Sequence, residues 1–161
     1  MKVYHGSIVI VEHPETSRGR KNLDFGQGFY LTDIEQQAIE WATRPINHGK
    51  PQYLNCYELN IDGIKAANYR YKKFEKYDDA WLDFVLANRH GKTPAAMLDM
   101  VEGGIANDRV FNTIELYDAG LITRQEALSR LAYEQPNSQM CILCQEIVDK
   151  YLTFITAKRL G

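Results

Sequence analysis

The chain has 161 residues, of which 45% are hydrophobic and 25% are charged, and its formal net charge is −2. This length and composition are typical of one folded domain with an apolar core, so residues 1–161 are predicted to form a single domain. The near-neutral charge excludes a protein whose whole surface is strongly basic or acidic, although a local basic patch is compatible with it.

Membrane and export signals are missing from the amino-acid pattern. No apolar run reaches the length of a membrane span, and residues 1–7 lack the apolar core of a signal peptide. We therefore expect a cytoplasmic protein with no membrane partner.

Short strands and helices are interspersed without a regular β–α–β repeat. Apolar and β-branched runs predict strands at residues 2–4, 7–11, 29–31, 52–61, 95–102, 138–144 and 152–157. Periodicity and capping residues predict helices at 32–42, 78–88, 108–119 and 123–133, with a helical stretch before the last strand. A turn is expected at residues 62–63, and residues 66–74 are either extended or a loop. The predicted fold class is α+β rather than a doubly wound parallel sheet.

Helix ends carry the clearest local signals. Thr32 with Glu35, and Thr123 with Glu126, have the spacing of capping boxes, in which the Thr and Glu side chains each bond the other residue's backbone N–H. Gly120 is expected to end the helix at 108–119, since glycine readily adopts the left-handed conformation.

Three cysteines, Cys56, Cys141 and Cys144, argue against a disulfide framework because their number is odd and low. Cys141 and Cys144 have CxxC spacing, but they lie in an apolar run that is typical of a strand, where residues three apart face opposite sides. No second pair or nearby His completes a metal site. We predict buried structural thiols and no bound metal.

Three short motifs could carry chemistry. His5, Gly6 and Ser7 lie in an early strand, where a glycine would let a ligand approach the backbone; the alternative is a histidine satisfied at a strand bend. Gly28 and Tyr30 follow in DFGQGFYLT, where the glycines would admit a flat group beside the ring, or form a tight turn before a core tyrosine.

The third motif comes late in the chain. Gln139 opens an apolar strand, where its amide could bond a sugar, or it could simply belong to a turn. A separate tyrosine-rich and lysine-rich segment, residues 69–77, could contact a nucleic acid or a protein, or be an ordinary solvated surface.

The order of these motifs resembles the ADP-ribosyltransferase superfamily, on its diphtheria-toxin and poly(ADP-ribose)-polymerase side, whose signature is His, Tyr and commonly Glu. The segments VYHGS, NLDFGQGFYLT and EQQAIEWA are similar to a family of small bacterial proteins of formerly unknown function. The resemblance implies a split β-sheet core with flanking helices, and NAD as the substrate.

The resemblance also implies roles for individual residues. His5 would bond a hydroxyl of the adenosine-side ribose, and the backbone of Gly6, with Ser7 beside it, would hold the nicotinamide carboxamide. Tyr30 would stack on the nicotinamide, and Trp41, eleven residues further on, would form the opposite wall.

Gln139 occupies the place of the family's Glu. A glutamine can bond the nicotinamide ribose, but it cannot act as an ionised acceptor. Arg18, with Arg20 and Lys21, is assigned to the pyrophosphate, and Asn22 at the end of the same loop is included in the cofactor site.

The expected function is therefore an NAD-dependent mono-ADP-ribosyltransferase with an unknown macromolecular acceptor, either protein or nucleic acid. The resemblance suggests a toxin or phage-defence effector neutralised by an antitoxin-like partner. The alternatives are a catalytically silent NAD-binding, ADP-ribose-binding or protein-interaction member of the same fold, and an unrelated structural α+β protein.

Overall fold

The computed structural model describes residues 1–104, 108–134 and 137–161. The strands in this part of the chain are β1 Lys2–Ser7, β2 Phe29–Leu31, β3 Tyr53–Leu59, β4 Tyr71–Lys73, β5 Met100–Gly103, β6 Gln139–Ile142 and β7 Leu152–Arg159. The α-helices are α1 Glu35–Ala42, α2 Ile61–Ala66, α3 Asp79–Arg89, α4 Asp108–Asp118, α5 Arg124–Leu131 and α6 Gln145–Tyr151. The predicted α+β class is confirmed.

The strands form two separate sheets. The first sheet has the order β1-β3-β7 and is antiparallel throughout. The second sheet has the order β2-β6-β5-β4; β2 and β5 are both antiparallel to β6, and β4 is parallel to β5. A chain that mixes both pairings in one short sheet needs helical crossovers, and α3 provides one between β4 and β5.

In the described part of the chain, a single isolated backbone bridge joins the two sheets. Tyr4 of β1 and Thr32, which follows β2, exchange hydrogen bonds of 2.8 Å (Tyr4 N to Thr32 O) and 3.0 Å (Thr32 N to Tyr4 O). This bridge brings the first motif, in β1, next to the second motif, in β2.

Two apolar clusters lie on opposite faces of the second sheet. One cluster includes Phe29, Leu31 and Met140, and packs towards the first sheet. The other includes Val101 and Cys141 and packs against α3, α4 and α5. The alternation follows from the two-residue period of a strand, and it places neighbouring residues of β2 in different environments.

Local capping signals predicted several helix ends correctly. Thr123 and Glu126 form the complete capping box. At the end of α4, Gly120 has φ +74°, and the N–H groups of Gly120 and Leu121 bond the carbonyls of Tyr117 and Leu116, which is a Schellman motif.

Four local predictions were wrong. Residues 8–11 are not a strand, since β1 ends at Ser7. Residues 94–97 form a 3₁₀ turn rather than the start of a strand, and residues 62–63 lie inside α2 rather than in a turn. The Thr32–Glu35 capping box does not form: the hydroxyl of Thr32 accepts from Ile34 N (3.1 Å) and donates to the carbonyl of Ser138 (2.9 Å), so α1 begins at Glu35.

None of the helices in the described part of the chain combines the length and the apolar character needed to cross a membrane.

Candidate functional site

The first and second motifs meet at a direct hydrogen bond. The ring N–H at Nδ1 of His5 donates to the backbone carbonyl of Tyr30 across 2.8 Å, and the ring lies 4.6 Å from that of Phe29. Donation from Nδ1 leaves Nε2 of the neutral ring as an acceptor. Burial lowers the pKa of His5 below its ordinary value of 6.5, against the opposing effect of this hydrogen bond, and so favours the neutral ring.

Gly6 is required by packing against α1. A Cβ atom at this position would lie 1.7 Å from the carbonyl oxygen of Ala38 and 2.8 Å from the backbone nitrogen of Ala42, so α1 fills that space. The sequence indicated a close approach correctly, but the approaching group is the helix.

The backbone of Gly6 nevertheless faces an open edge. Alternate residues of a strand direct their N–H and C=O groups to opposite edges, and Tyr4 uses its own for Thr32. Gly6 is two residues further on and points its N–H and C=O to the same edge. The register of the bridge places Tyr30 of β2 opposite Gly6, but no backbone hydrogen bond joins the two in the described part of the chain, so the N–H and C=O of Gly6 can bond an amide there.

Ser7 anchors the loop that follows β1. Its hydroxyl donates to the carbonyl of Val9 (2.5 Å) and accepts from the side-chain amide of Asn55 (3.2 Å). Asn55 is fully buried; its amide also lies 3.3 Å from the carbonyl of His5 and 3.2 Å from that of Val9, and its Oδ1 accepts from Val11 N at 2.9 Å. This one buried amide therefore fixes the backbone on both sides of the first motif.

The hydroxyl of Tyr30 is committed to its own preceding loop. It donates to the carbonyl of Gly26 (2.6 Å) and accepts from the N–H of Phe25 (3.2 Å). Gly26 has φ +88°, which favours glycine. Burial raises the pKa of Tyr30 well above its ordinary value, so the phenol stays protonated. The ring remains partly exposed.

The glycines of DFGQGFYLT serve internal packing. A Cβ on Gly28 would lie 2.5 Å from the carbonyl oxygen of Ile142 and 2.7 Å from Sγ of Cys141, both in β6. Gln27, between the glycines, donates to the carbonyls of Ser17 (2.8 Å) and Gly19 (2.9 Å). Packing and hydrogen bonds thus fix the loop that precedes Tyr30.

Tyr30 and Gln139 point to the same face of the second sheet. Tyr30 lies opposite Cys141, and Gln139 is two residues before Cys141 on β6, so the two are diagonal cross-strand neighbours. Gln139 is only 7% exposed. The structure therefore links Tyr30 to His5 through the Tyr30 carbonyl and to Gln139 as a diagonal neighbour. The ring of His5 packs on Phe29, whose side chain lies on the other face of the second sheet.

Helix α1 connects the predicted aromatic wall to the third motif. Trp41 is partly exposed, and Gln37, four residues earlier on the same face, is buried. The side-chain amide of Gln37 donates to the carbonyl of Ser138 (2.8 Å), which also accepts from the hydroxyl of Thr32. These two donors hold the backbone immediately before Gln139.

The cationic loop residues are not gathered around His5. Arg18 is exposed and pairs with Glu15 (2.9 Å), and Arg20 is exposed. Lys21 and Asn22 line a separate cleft of about 560 Å³, together with Arg70, Asp99 and Cys144. The structure thus places Arg18 and Asn22 in the loop that leads to the site, with no described contact to His5 or Tyr30.

The cysteines differ from one another. Cys141 is buried in β6, as predicted, and burial raises the pKa of its thiol to about 12. Cys144 is partly exposed at the start of α6, outside any strand, so the prediction of a second buried strand thiol was wrong. In the part of the chain that the structure describes, no group of three metal-ligating residues is placed to hold an ion.

Comparison with known proteins places the chain in a family. Residues 1–154 match the family described as "Protein of unknown function (DUF3990)". The chain belongs to that family. No curated protein and no solved structure is detectably similar to it.

In this member of the family, sequence reasoning missed Phe29, Thr32, Gln37 and Asn55. Phe29 precedes Tyr30 in β2 and Thr32 follows the strand, and the two-residue period of a strand was the available signal for their directions. Gln37 and Asn55 are buried amides on an otherwise apolar helix face and in an apolar strand. Their partners lie far away in sequence, so no local pattern could have indicated what they bond.

Proposed function

We propose that this protein binds NAD and transfers its ADP-ribose group to an acceptor, releasing nicotinamide, by the chemistry of an ADP-ribosyltransferase. The observation that carries the proposal is the position of Tyr30, whose carbonyl accepts from His5 and whose diagonal cross-strand neighbour is Gln139. Tyr30 and Gln139 are therefore neighbours in the second sheet although more than a hundred positions separate them in the chain.

The proposed binding mode uses groups that the structure leaves available. The Nε2 atom of His5 accepts from a ribose hydroxyl, and the open-edge N–H and C=O of Gly6 bond the nicotinamide carboxamide. The partly exposed rings of Tyr30 and Trp41 contact the planar, cationic nicotinamide, which contributes roughly 0.5–2 kcal/mol per good contact.

The proposed reaction needs positioning and polar stabilisation. The bond between ribose C1′ and the nicotinamide nitrogen breaks, and its electron pair leaves with neutral nicotinamide. The resulting oxocarbenium-like sugar is attacked by an acceptor nucleophile or by water, which loses a proton. Gln139 holds the ribose through its amide but cannot ionise, which limits the reaction to single transfer or hydrolysis.

A catalytically silent NAD or ADP-ribose binder is the second candidate. It is favoured by Gln139, a buried amide at the place where the superfamily commonly has Glu, while His5, Gly6 and Tyr30 are present to bind NAD.

The deciding experiment measures nicotinamide release from NAD by purified protein, with and without cell lysate, beside His5→Ala. Release that depends on His5 supports the enzyme, and stimulation by lysate supports an acceptor. If there is no release, titration of NAD against tryptophan fluorescence, with Trp41→Phe as the control, separates the silent binder from a protein that does not bind NAD. Equal release or equal affinity in His5→Ala removes His5 from the site.

A further inference from the structure

A local excess of positive charge lies on β4 and the residues around it. Residues 65–76 contain five of the 19 Lys and Arg residues of the chain and one carboxylate, although the whole chain has a net charge of −2. We call this set the basic edge; it consists of Lys65, Arg70, Lys72, Lys73 and Lys76, all of which are exposed.

The basic edge follows an outer strand of the second sheet. β4 pairs only with β5 in the strand order, so its other side has no neighbouring strand in the described part of the chain. Lys72 and Lys73 are consecutive, so their side chains lie on opposite faces, and cations flank the edge on both sides. The N–H of Phe74 bonds the carbonyl of Glu102, so by alternation the N–H groups of Tyr71 and Lys73 point outwards.

Only part of the positive charge is neutralised. Arg70 forms a two-pronged ion pair with Asp99 (2.9 and 3.1 Å), and Lys73 lies 3.8 Å from Glu102. Among the described residues, Lys65, Lys72 and Lys76 have no carboxylate within 4 Å, and these three lysines supply the unpaired charge of the edge.

Aromatic rings hold two of the three unpaired ammonium groups in place. The Nζ of Lys65 lies 5.5 Å from the centre of the Tyr71 ring, and that of Lys72 lies 5.1 Å from the centre of the Phe74 ring. Tyr69 and Tyr71 are themselves partly exposed. A surface with cations on both sides of an edge, outward N–H donors and accessible rings suits a polymer with repeated phosphates and stackable bases.

We propose that the basic edge binds a single-stranded nucleic acid through its phosphate groups. β4 is separated from β6, which begins at Gln139, by two strand spacings, or about 10 Å. A bound strand would therefore lie close enough to serve as the acceptor in the proposed transfer. The binding itself does not depend on NAD and goes beyond the proposed function.

The test is fluorescence anisotropy with labelled oligouridine and oligothymidine of equal length, titrated with the full chain over a series of salt concentrations. The variant Lys65→Gln/Lys72→Gln/Lys76→Gln removes the unpaired cations. The control Lys50→Gln/Lys92→Gln/Lys158→Gln removes the same charge from exposed lysines elsewhere. Thermal unfolding of each variant checks that it is folded, and the single Lys72→Gln variant is measured in parallel.

We expect the logarithm of the association constant to fall with the logarithm of salt concentration with a slope of about 2, or about 0.7 for each lysine. Basic-edge substitution should abolish most of this slope, the single variant should lower it by about 0.7, and the control should keep it. Binding of the RNA alone, the DNA alone or both supports the proposal and identifies the sugar preference.

Three results would overturn the nucleic-acid proposal. The first is that neither oligonucleotide binds in a salt-dependent way, and the second is that the control variant weakens oligonucleotide binding as much as the basic-edge variant does. The third is that oligoaspartate binds in preference to both oligonucleotides, which would indicate an acidic protein as the partner. The same titrations with His5→Ala should be unchanged. If the protein binds the oligonucleotides as expected but does not turn over NAD, the result counts against the proposed transferase and still supports nucleic-acid binding by the basic edge.

Discussion

Gly6 lies directly beneath Ala38, so closely that a Cβ atom on Gly6 would be 1.7 Å from the carbonyl oxygen of that residue. Gly6→Ala must therefore displace α1 or bend β1. We expect the free energy of unfolding, measured by urea denaturation, to fall by about 3 kcal/mol. Because α1 carries Trp41, NAD binding should weaken as well.

Gly49→Ala is the matched control for that substitution. Gly49 has φ +79° and nothing within 4 Å of an added Cβ, so the variant tests backbone strain without a clash. It should cost about 1 kcal/mol. If Gly6→Ala costs no more than Gly49→Ala, the close packing of α1 on β1 is not what requires a glycine there.

These glycines also show what a sequence can and cannot predict. Two glycines around a glutamine indicated that something approaches the backbone. The approaching group is Ala95 at Gly26, and at Gly28 the groups are Ile142 and Cys141, more than a hundred residues later. The Thr123 capping box was predictable because both partners lie within four residues. The Thr32 box failed because its hydroxyl bonds the distant Ser138 carbonyl, which no local pattern reveals.

The hydroxyl and the ring of Tyr30 should have separable roles. Tyr30→Phe removes a hydroxyl that makes two hydrogen bonds to the loop at Phe25 and Gly26, so unfolding should become easier by about 1–2 kcal/mol. The ring is retained, so NAD affinity should change little. Tyr30→Ala should lower NAD affinity by roughly tenfold, as expected for a lost stacking contact.

Tyr57→Phe provides the comparison for the hydroxyl. Tyr57 is fully buried and its hydroxyl donates to the carbonyl of Val11 (2.6 Å), so its loss should cost about 1 kcal/mol without a specific effect on NAD. Isothermal titration of NAD against all three variants is the measurement. Equal loss of affinity in Tyr30→Phe and Tyr30→Ala would show that the phenol hydroxyl matters and that stacking is the wrong explanation.

Thr32 and Gln37 should be energetically coupled because both donate to one carbonyl. Thr32→Val and Gln37→Leu should each cost about 1 kcal/mol in the free energy of unfolding. In the double variant the Ser138 carbonyl loses both side-chain donors. The free energy of unfolding should therefore fall by about 1 kcal/mol more than the sum of the losses in the two single variants.

Thr43→Val tests whether that coupling is specific. The hydroxyl of Thr43 donates to the carbonyl of Ile39 (2.9 Å) within the same helix and does not contact Ser138. When Thr43→Val is combined with Gln37→Leu, the losses in the free energy of unfolding should be additive. A double-mutant cycle of Thr32 and Gln37 that is also additive would mean that the two donors act independently.

The neutral state of His5 predicts a pH dependence of stability. Its pKa is lowered in the folded chain, so below pH 6.5 the unfolded chain binds a proton more readily than the folded one. The contribution of the neutral His5 ring to the free energy of unfolding is fully present above pH 6.5. It is lost as the pH falls through the pKa that His5 has in the folded chain. His5→Asn keeps an N–H donor for the Tyr30 carbonyl but does not titrate, so its loss of stability on acidification should be smaller. Urea denaturation between neutral and mildly acidic pH checks this; identical pH profiles for the two proteins would refute a lowered pKa of His5 in the folded chain.

Gln139→Glu tests whether the amide limits catalysis. The new carboxyl group lies where Gln139 is 7% exposed, so burial should raise its pKa and make unfolding easier as the pH rises through that value. Once ionised it can accept from the ribose hydroxyl and stabilise positive charge on the sugar, so nicotinamide release from NAD should be preserved or increased, most clearly at higher pH. Gln139→Leu, of similar volume but without polar atoms, should lose release and NAD affinity together. If Gln139→Glu remains folded but loses release completely, then either the reaction requires an amide at this position or the third motif lies elsewhere in the chain.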